Sequence, residues 1–207
     1  MQEFIFFIAI LVFSVVIHEV SHGFMANILG DHTAKRAGRL TLNPIVHIDP
    51  VGSILVPILT YFASGGALPF GWAKPVPYNP YNLNDKKWGE AKVAFAGPAS
   101  NIFLAIFFSI ILRLGTNGTL PLNSHVMSIL IPIVLVNLSL AVVNLLPVYP
   151  LDGSRIFFSI LPYHLRYVQD FMMRYMFIFL AVFLLFPPIG DFISFVISTL
   201  FHLLTNL

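Results

Sequence analysis

No cysteine occurs among the 207 residues, so disulfides, thiolate-bound metals and thiol nucleophiles are excluded, and any metal must be held by His, Asp or Glu. Charge is scarce as well. Charged residues make up 10% of the chain against 57% hydrophobic, with a mean hydropathy of +0.86, which leaves too little polar surface to coat a soluble globule of this size. A net charge of +2, without any run of five basic residues, lacks the electrostatic footprint of a nucleic-acid binder. No Lys or Arg precedes the first apolar run and no small-residue cleavage site follows it, so residues 4–17 are read as a retained helix and not as a signal peptide.

The apolar residues are gathered into runs that approach the ~20 residues needed to span a bilayer. The expected fold is therefore an all-α polytopic membrane protein, one membrane-embedded domain over residues 1–207. Residues 4–29 read as a spanning helix with polar groups in its second half, stopped by Gly30 and Asp31. Residues 33–42, followed by Asn43-Pro44 and Asp49-Pro50, suggest a small β-sheet or hairpin at the membrane surface. The apolar stretch 51–62 is short and interrupted by Pro57, which suits a re-entrant segment better than a span. Residues 65–90 form a Pro- and Gly-rich loop, too apolar to be a free linker and expected to fold back on the domain. Residues 91–114, 126–147, 170–186 and 192–204 read as four further helices, for about five spans in all. With the loop after the first helix in the cytoplasm, Lys35, Arg36, Arg39, Lys74, Lys86, Lys87, Lys92, Arg155, Arg166 and Arg174 fall on the cytoplasmic side, leaving Arg113 alone outside.

Chemistry is concentrated in His18-Glu19-Val20-Ser21-His22. Histidines at i and i+4 share one helix face, where both imidazoles reach a single metal ion and the adjacent Glu reaches a water beside it. Seven histidines and three glutamates in a chain of this length make the pattern a chance event of about 0.003 occurrences. Its depth also argues for function. His18 lies ~21 Å of helical rise beyond Phe4, within the ~30 Å hydrocarbon layer, where ionisable groups are costly. A catalytic zinc takes a third protein ligand, and Asp152 is the candidate; spacing alone equally allows an ordinary helix N-cap before residues 154–161. Asn144 reads by itself as interhelical polar glue, and residues 97–101 as a close-packing or kink motif. His32, His47, His125, His164 and His202 are scattered, and none pairs at ligand spacing; His47, near Asp49, is the one to watch.

HEVSH in the first spanning helix, Asn144-Leu-Leu-Pro-Val-Tyr-Pro-Leu-Asp152-Gly153 on a later one, Gly97-Pro-Ala-Ser-Asn101 between them and Phe70-Gly-Trp-Ala-Lys-Pro75-Val-Pro77 together resemble the site-2 protease family of intramembrane zinc metalloproteases, in its compact prokaryotic branch without a PDZ domain. The resemblance covers residues 1 to about 160, the catalytic core; the C-terminal helices, 170–207, carry no motif. It implies one Zn2+ per chain held by His18, His22 and Asp152, with Glu19 as general base and acid. It further implies that Asn144 steadies the oxyanion or substrate, and that Asn101, Pro75 and Pro77 contact substrate. The implied function is cleavage within or near the transmembrane segment of a membrane-protein substrate, in a prokaryotic cell membrane, with the site toward the cytoplasm. The rival of a different class is a divalent-metal transporter or metal-binding membrane protein built on the same His/Asp cluster, but the repeated halves of such transporters are not visible here. A haem-binding span is weaker still, since it gives Glu19 no role.

Overall fold

The computed structural model describes residues 2–56, 59, 62 and 73–207. Helix α1 (Gln2–Ile28) runs unbroken through the first apolar stretch and closes on a left-handed glycine. Gly30 has φ +100°, its N–H donates to Asn27 O, and the Asp31 N–H reaches Ala26 O at 2.9 Å, the paired bonds that satisfy the last carbonyls of a helix. A Cβ at Gly30 would lie 2.8 Å from the Asn84 side-chain amide, so both conformation and space demand glycine there.

One turn, α2 (Thr33–Arg36), follows, and then α3 (Gly89–Thr116), α4 (Ser124–Asn144), α5 (Asp152–Ile160), α6 (Arg166–Arg174), α7 (Met176–Leu185) and α8 (Pro187–Thr205). Helices α1, α3, α4 and α8 are long and apolar enough to cross a membrane. Helix α3 is central and packs against α1, α4, α5 and α8. Its buried face includes Gly89, Ala91, Ala94, Gly97, Ala105 and Ser109. Side chains this small let neighbouring backbones come close where lipid offers no hydrophobic drive for association. Large apolar side chains such as Phe13, Phe103, Ile110 and Phe195 point outward, a surface suited to lipid and not to water.

Two expectations change. Residues 33–50 contain no strand: α2 is followed by a 3-10 turn at Pro44–His47 and a π-helical turn beginning at Pro50. The Asn43-Pro44 and Asp49-Pro50 pairs are N-cap and first-turn residues, not strand ends. Asn43 Oδ1 accepts from Ile45 N, and Asp49 Oδ1 accepts from Val51 N and Gly52 N. The expected helix 170–186 is divided at Tyr175 into α6 and α7; α7 rises only ~15 Å, half a bilayer core, and among the described residues four helices, not the expected five, are long and apolar enough to span. The re-entrant segment expected at 51–62 is described through residue 56 and at residues 59 and 62, where its first part is π-helical; its remainder, and residues 65–72 of the following loop, lie outside the described residues.

From residue 73 the loop does fold back along α1. Val76 and Leu83 are buried, Lys74 N–H donates to His47 O at 2.9 Å, Asn84 N–H donates to Leu29 O, and Arg39 reaches Lys74 O at 2.7 Å. Asp31 is the main fastening, taking hydrogen bonds from the Thr33 hydroxyl and N–H, the Asn82 amide and the Asn79 N–H. Burial pushes the Asp31 carboxyl up, but these donors outweigh it and hold the group below its ordinary range.

Candidate metal centre

On α1, His18 and His22 stand one turn apart with their rings edge-to-face, centroids 4.6 Å apart, as the i,i+4 spacing requires. Both are buried. The Asp152 carboxylate reaches them from α5: His18 Nε2 to His22 Nε2 is 3.0 Å, and Asp152 Oδ2 lies 3.0 Å from the first and 3.2 Å from the second. Asp152 is the first residue of α5, with Leu151 in the N-cap position, so the N-cap alternative does not describe it.

The outer nitrogens of the two rings decide what the inner ones offer. His22 Nδ1 lies 2.7 Å from Val93 O; a carbonyl only accepts, so Nδ1 carries a proton and, in the neutral ring, Nε2 is the lone-pair nitrogen. His18 Nδ1 lies 2.6 Å from Asn101 Oδ1 and is protonated in the same way. With both rings neutral, two imidazole lone pairs and a carboxylate oxygen thus converge on one point. Such a trio is repulsive unless a cation stands between, and its edges match the ~3.3 Å separation of ligands around a tetrahedral zinc with bonds of ~2.0 Å. The donor set, two imidazoles and a carboxylate with no sulfur, fits zinc.

Close approach depends on two glycines. A Cβ at Gly97 on α3 would collide with His22 Nε2 and lie 2.6 Å from His18 Nε2, and one at Gly153 would strike the carbonyls of Leu145 and Leu146. The first leaves room for the imidazoles, and the second lets the start of α5 seat beneath the end of α4.

Glu19 lies beside the cluster, with one carboxylate oxygen within 4.8 Å of a ring nitrogen of each histidine. Its Oε2 accepts from Val76 N–H at 2.9 Å. The cavity here has a volume of about 730 Å³ and is lined by Glu19, both histidines, Asp152, Asn144 and Arg155, among others. Asn144 donates to Leu140 O of its own helix at 2.9 Å, not to another helix as interhelical glue would. Arg155 donates to the Tyr78 hydroxyl and sits over its ring, 5.4 Å from the centroid. Burial pushes the Tyr78 phenol up, against the pull of the Arg155 charge.

Of the residues expected to contact substrate, Pro75 lines this cavity and Pro77 does not. Asn101 is corrected: it is fully buried, absent from the cavity wall, and its amide is spent on His18, Asn137 and Ser14 O. His47 is buried and bonded to Thr41 O, and His32 to Asn27, so neither joins the cluster. Sequence reasoning missed Ser14, Asn137, the Val93 carbonyl and the Val76 N–H. For Asn137 a signal existed, a lone amide in an apolar helix; for main-chain groups there was none.

Comparison with known proteins agrees with this geometry. The model of Peptidase family M50 matches residues 116–186, the part that holds Asn144 and Asp152. YwhC of Bacillus subtilis, named as a zinc metalloprotease, is 36% identical over 188 residues, which are 88% of this chain and 81% of that protein. Rip2 of Mycolicibacterium smegmatis, similarly named, is 32% identical over 72% of this chain and 55% of its own length. Rip2 of Mycobacterium tuberculosis (strain H37Rv) is 28% identical over 97% of this chain and 74% of its own. No solved structure gives a significant match. With the resemblance to YwhC extending over most of both proteins, the chain belongs to peptidase family M50, the site-2 protease family, and is a membrane zinc metalloprotease.

Proposed function

We propose that this protein is an intramembrane endopeptidase that holds one zinc ion per chain on His18, His22 and Asp152 and hydrolyses peptide bonds within or near the transmembrane segment of a membrane-protein substrate. The observation that carries this reading is the convergence of two imidazole Nε2 atoms and a carboxylate oxygen, 3.0–3.2 Å apart, next to a carboxylate that is not one of the three.

Zinc bound there supplies Lewis acidity, polarising the scissile carbonyl and acidifying the attacking water. Glu19 takes the water's proton and delivers it to the leaving amine, so one carboxylate serves as base and then acid. The bond from Val76 N–H fixes the rotamer of that carboxylate beside the imidazoles. Asn144 spends one amide N–H on Leu140 O, and the second serves the oxyanion; a donor of this kind is worth ~3 kcal/mol. Pro75 forms part of the wall along which an unwound substrate lies.

The site faces the cytoplasm of a prokaryotic cell. Lys35, Arg36, Arg39, Lys74, Lys86, Lys87 and Lys92 all belong to segments fastened around the site-bearing end of α1, whereas Arg113 lies at the far end of α3, a distribution that follows the positive-inside rule without any count of spans.

Purified protein in detergent should contain about one zinc per chain and cleave model transmembrane peptides, with activity abolished by a chelator and restored by zinc. Hydrolysis that persists after complete zinc removal would overturn the mechanism.

A further inference from the structure

Behind His18 a chain of buried amides crosses three helices. Asn101 on α3 donates through Nδ2 to Asn137 Oδ1 on α4 at 2.9 Å and to Ser14 O on α1 at 3.4 Å. Asn137 in turn donates through its own Nδ2 to Ile133 O at 2.8 Å and to Ser14 Oγ at 3.0 Å. Every side chain in it is at most 6% exposed, so an unpaired group here is costly.

The chain has a direction, and main-chain groups impose it. Ile133 O can only accept, so the Asn137 amide turns its NH2 toward that carbonyl and its oxygen toward Asn101. That oxygen, with Ser14 O, requires the Asn101 NH2. The Asn101 oxygen is then left for His18, whose Nδ1 must donate. If Asn101 were reversed, its NH2 would hold the proton-free Nδ1 and the proton would move to Nε2, where it would block the metal.

We propose that Asn137 is a positioning residue of the zinc centre: through Asn101 it selects the His18 tautomer that presents a bare Nε2, although it touches neither zinc ligand nor substrate. This rests on the zinc reading above and extends it by two residues into the bundle. His22 provides an internal reference, because its tautomer is set independently by Val93 O.

The test uses full-length protein in detergent, stripped of zinc and labelled with 15N-histidine, at a pH where imidazole is neutral. In the parent protein both His18 and His22 should be Nδ1-protonated. In Asn137→Leu, the Asn101 amide loses its shorter orienting bond and keeps only the long one to Ser14 O at 3.4 Å, so His18 should become a mixture of tautomers while His22 is unchanged. Zinc affinity, read by competition with a chromophoric chelator, should fall about tenfold, the lower end of the effect of losing an outer partner of a metal ligand. Adding Asn101→Asp should restore a single His18 tautomer and most of the affinity, because a carboxylate accepts whichever way it faces. If Asn137→Leu does not fold, Asn137→Ala replaces it, with the same mixture of tautomers expected at His18. The proposal fails if His18 stays purely Nδ1-protonated in Asn137→Leu or in Asn137→Ala, or if His22 loses its tautomer along with His18, since that marks general loosening. A parent protein that binds no zinc while showing both Nδ1-protonated rings would instead overturn the zinc reading and leave the tautomer result standing.

Discussion

Helices α1 and α8 are both long enough to cross a membrane, yet they are held by different means. In α1, His18, Glu19 and His22 bond to α3, α5 and the segment at Val76, and Ser14 bonds to α3 and α4. In α8, Thr199 and Thr205 bond back to Phe195 O and Phe201 O of their own helix, and its contacts with α3 and α4 run through Ile197, Leu200, Phe201 and Leu204. Hydrogen bonds are directional and fix both rotation and register, whereas apolar packing rewards proximity and tolerates small slides. Chemistry that needs atoms placed within ~0.5 Å therefore belongs to the first kind of helix, and α8 serves as a wall.

The largest effect should come from Glu19→Gln, which keeps the shape but cannot take a proton; cleavage should fall by about 10²–10⁴-fold while metal analysis still finds zinc. Retained turnover would break the contrast at its centre. Asn144→Ala should lower kcat by about 10²–10³-fold with little change in KM, and an unchanged kcat would remove it from the oxyanion.

One substitution placed in both regions sharpens the comparison. Gly97→Ala puts a methyl group where the imidazole nitrogens stand, and chelator competition should show zinc affinity reduced by at least ~10–100-fold. Gly190→Ala on α8 meets nothing within 4 Å and should leave affinity unchanged, with a stability gain of up to ~1 kcal/mol from helix propensity. Equal loss of zinc in both would show that α8 shapes the centre after all. Leu200→Ala should cost ~1–2 kcal/mol of stability, less than for a fully enclosed leucine, again without moving zinc affinity.

The smallest effect is confined to acid. The Asp31 carboxyl is held below its ordinary range by its donors, so the stability it contributes is complete above the unfolded value of ~3.9 and is lost as pH falls through its folded value. Protease susceptibility of residues 73–84 should rise over that acid window, and Asp31→Asn should flatten the response.

Local patterns were readable from the chain. The apolar runs announced a membrane bundle because helical hydrogen bonding satisfies the backbone within each segment. The i,i+4 histidines with Glu19 between them announced a metal centre, because a helix turn alone brings those groups together. Gly30 and Asp31 marked the end of α1 for an equally local reason. One motif can serve two structures: Asx-Pro pairs start a helical turn as readily as they interrupt a strand, and in residues 33–50 they start the 3-10 and π-helical turns at Pro44 and Pro50 where the pattern suggests a hairpin. Only the tertiary structure decided that Asp152 completes the cluster from 134 positions away, that Asn101 faces a histidine and not a substrate, and that a carbonyl at Val93 and an N–H at Val76 orient the chemistry. Contacts of that kind depend on the packing of α1, α3, α4 and α5, and main-chain groups take part in them whatever residue they belong to, so the order of side chains can nominate Asp152 but cannot name the carbonyl and N–H partners.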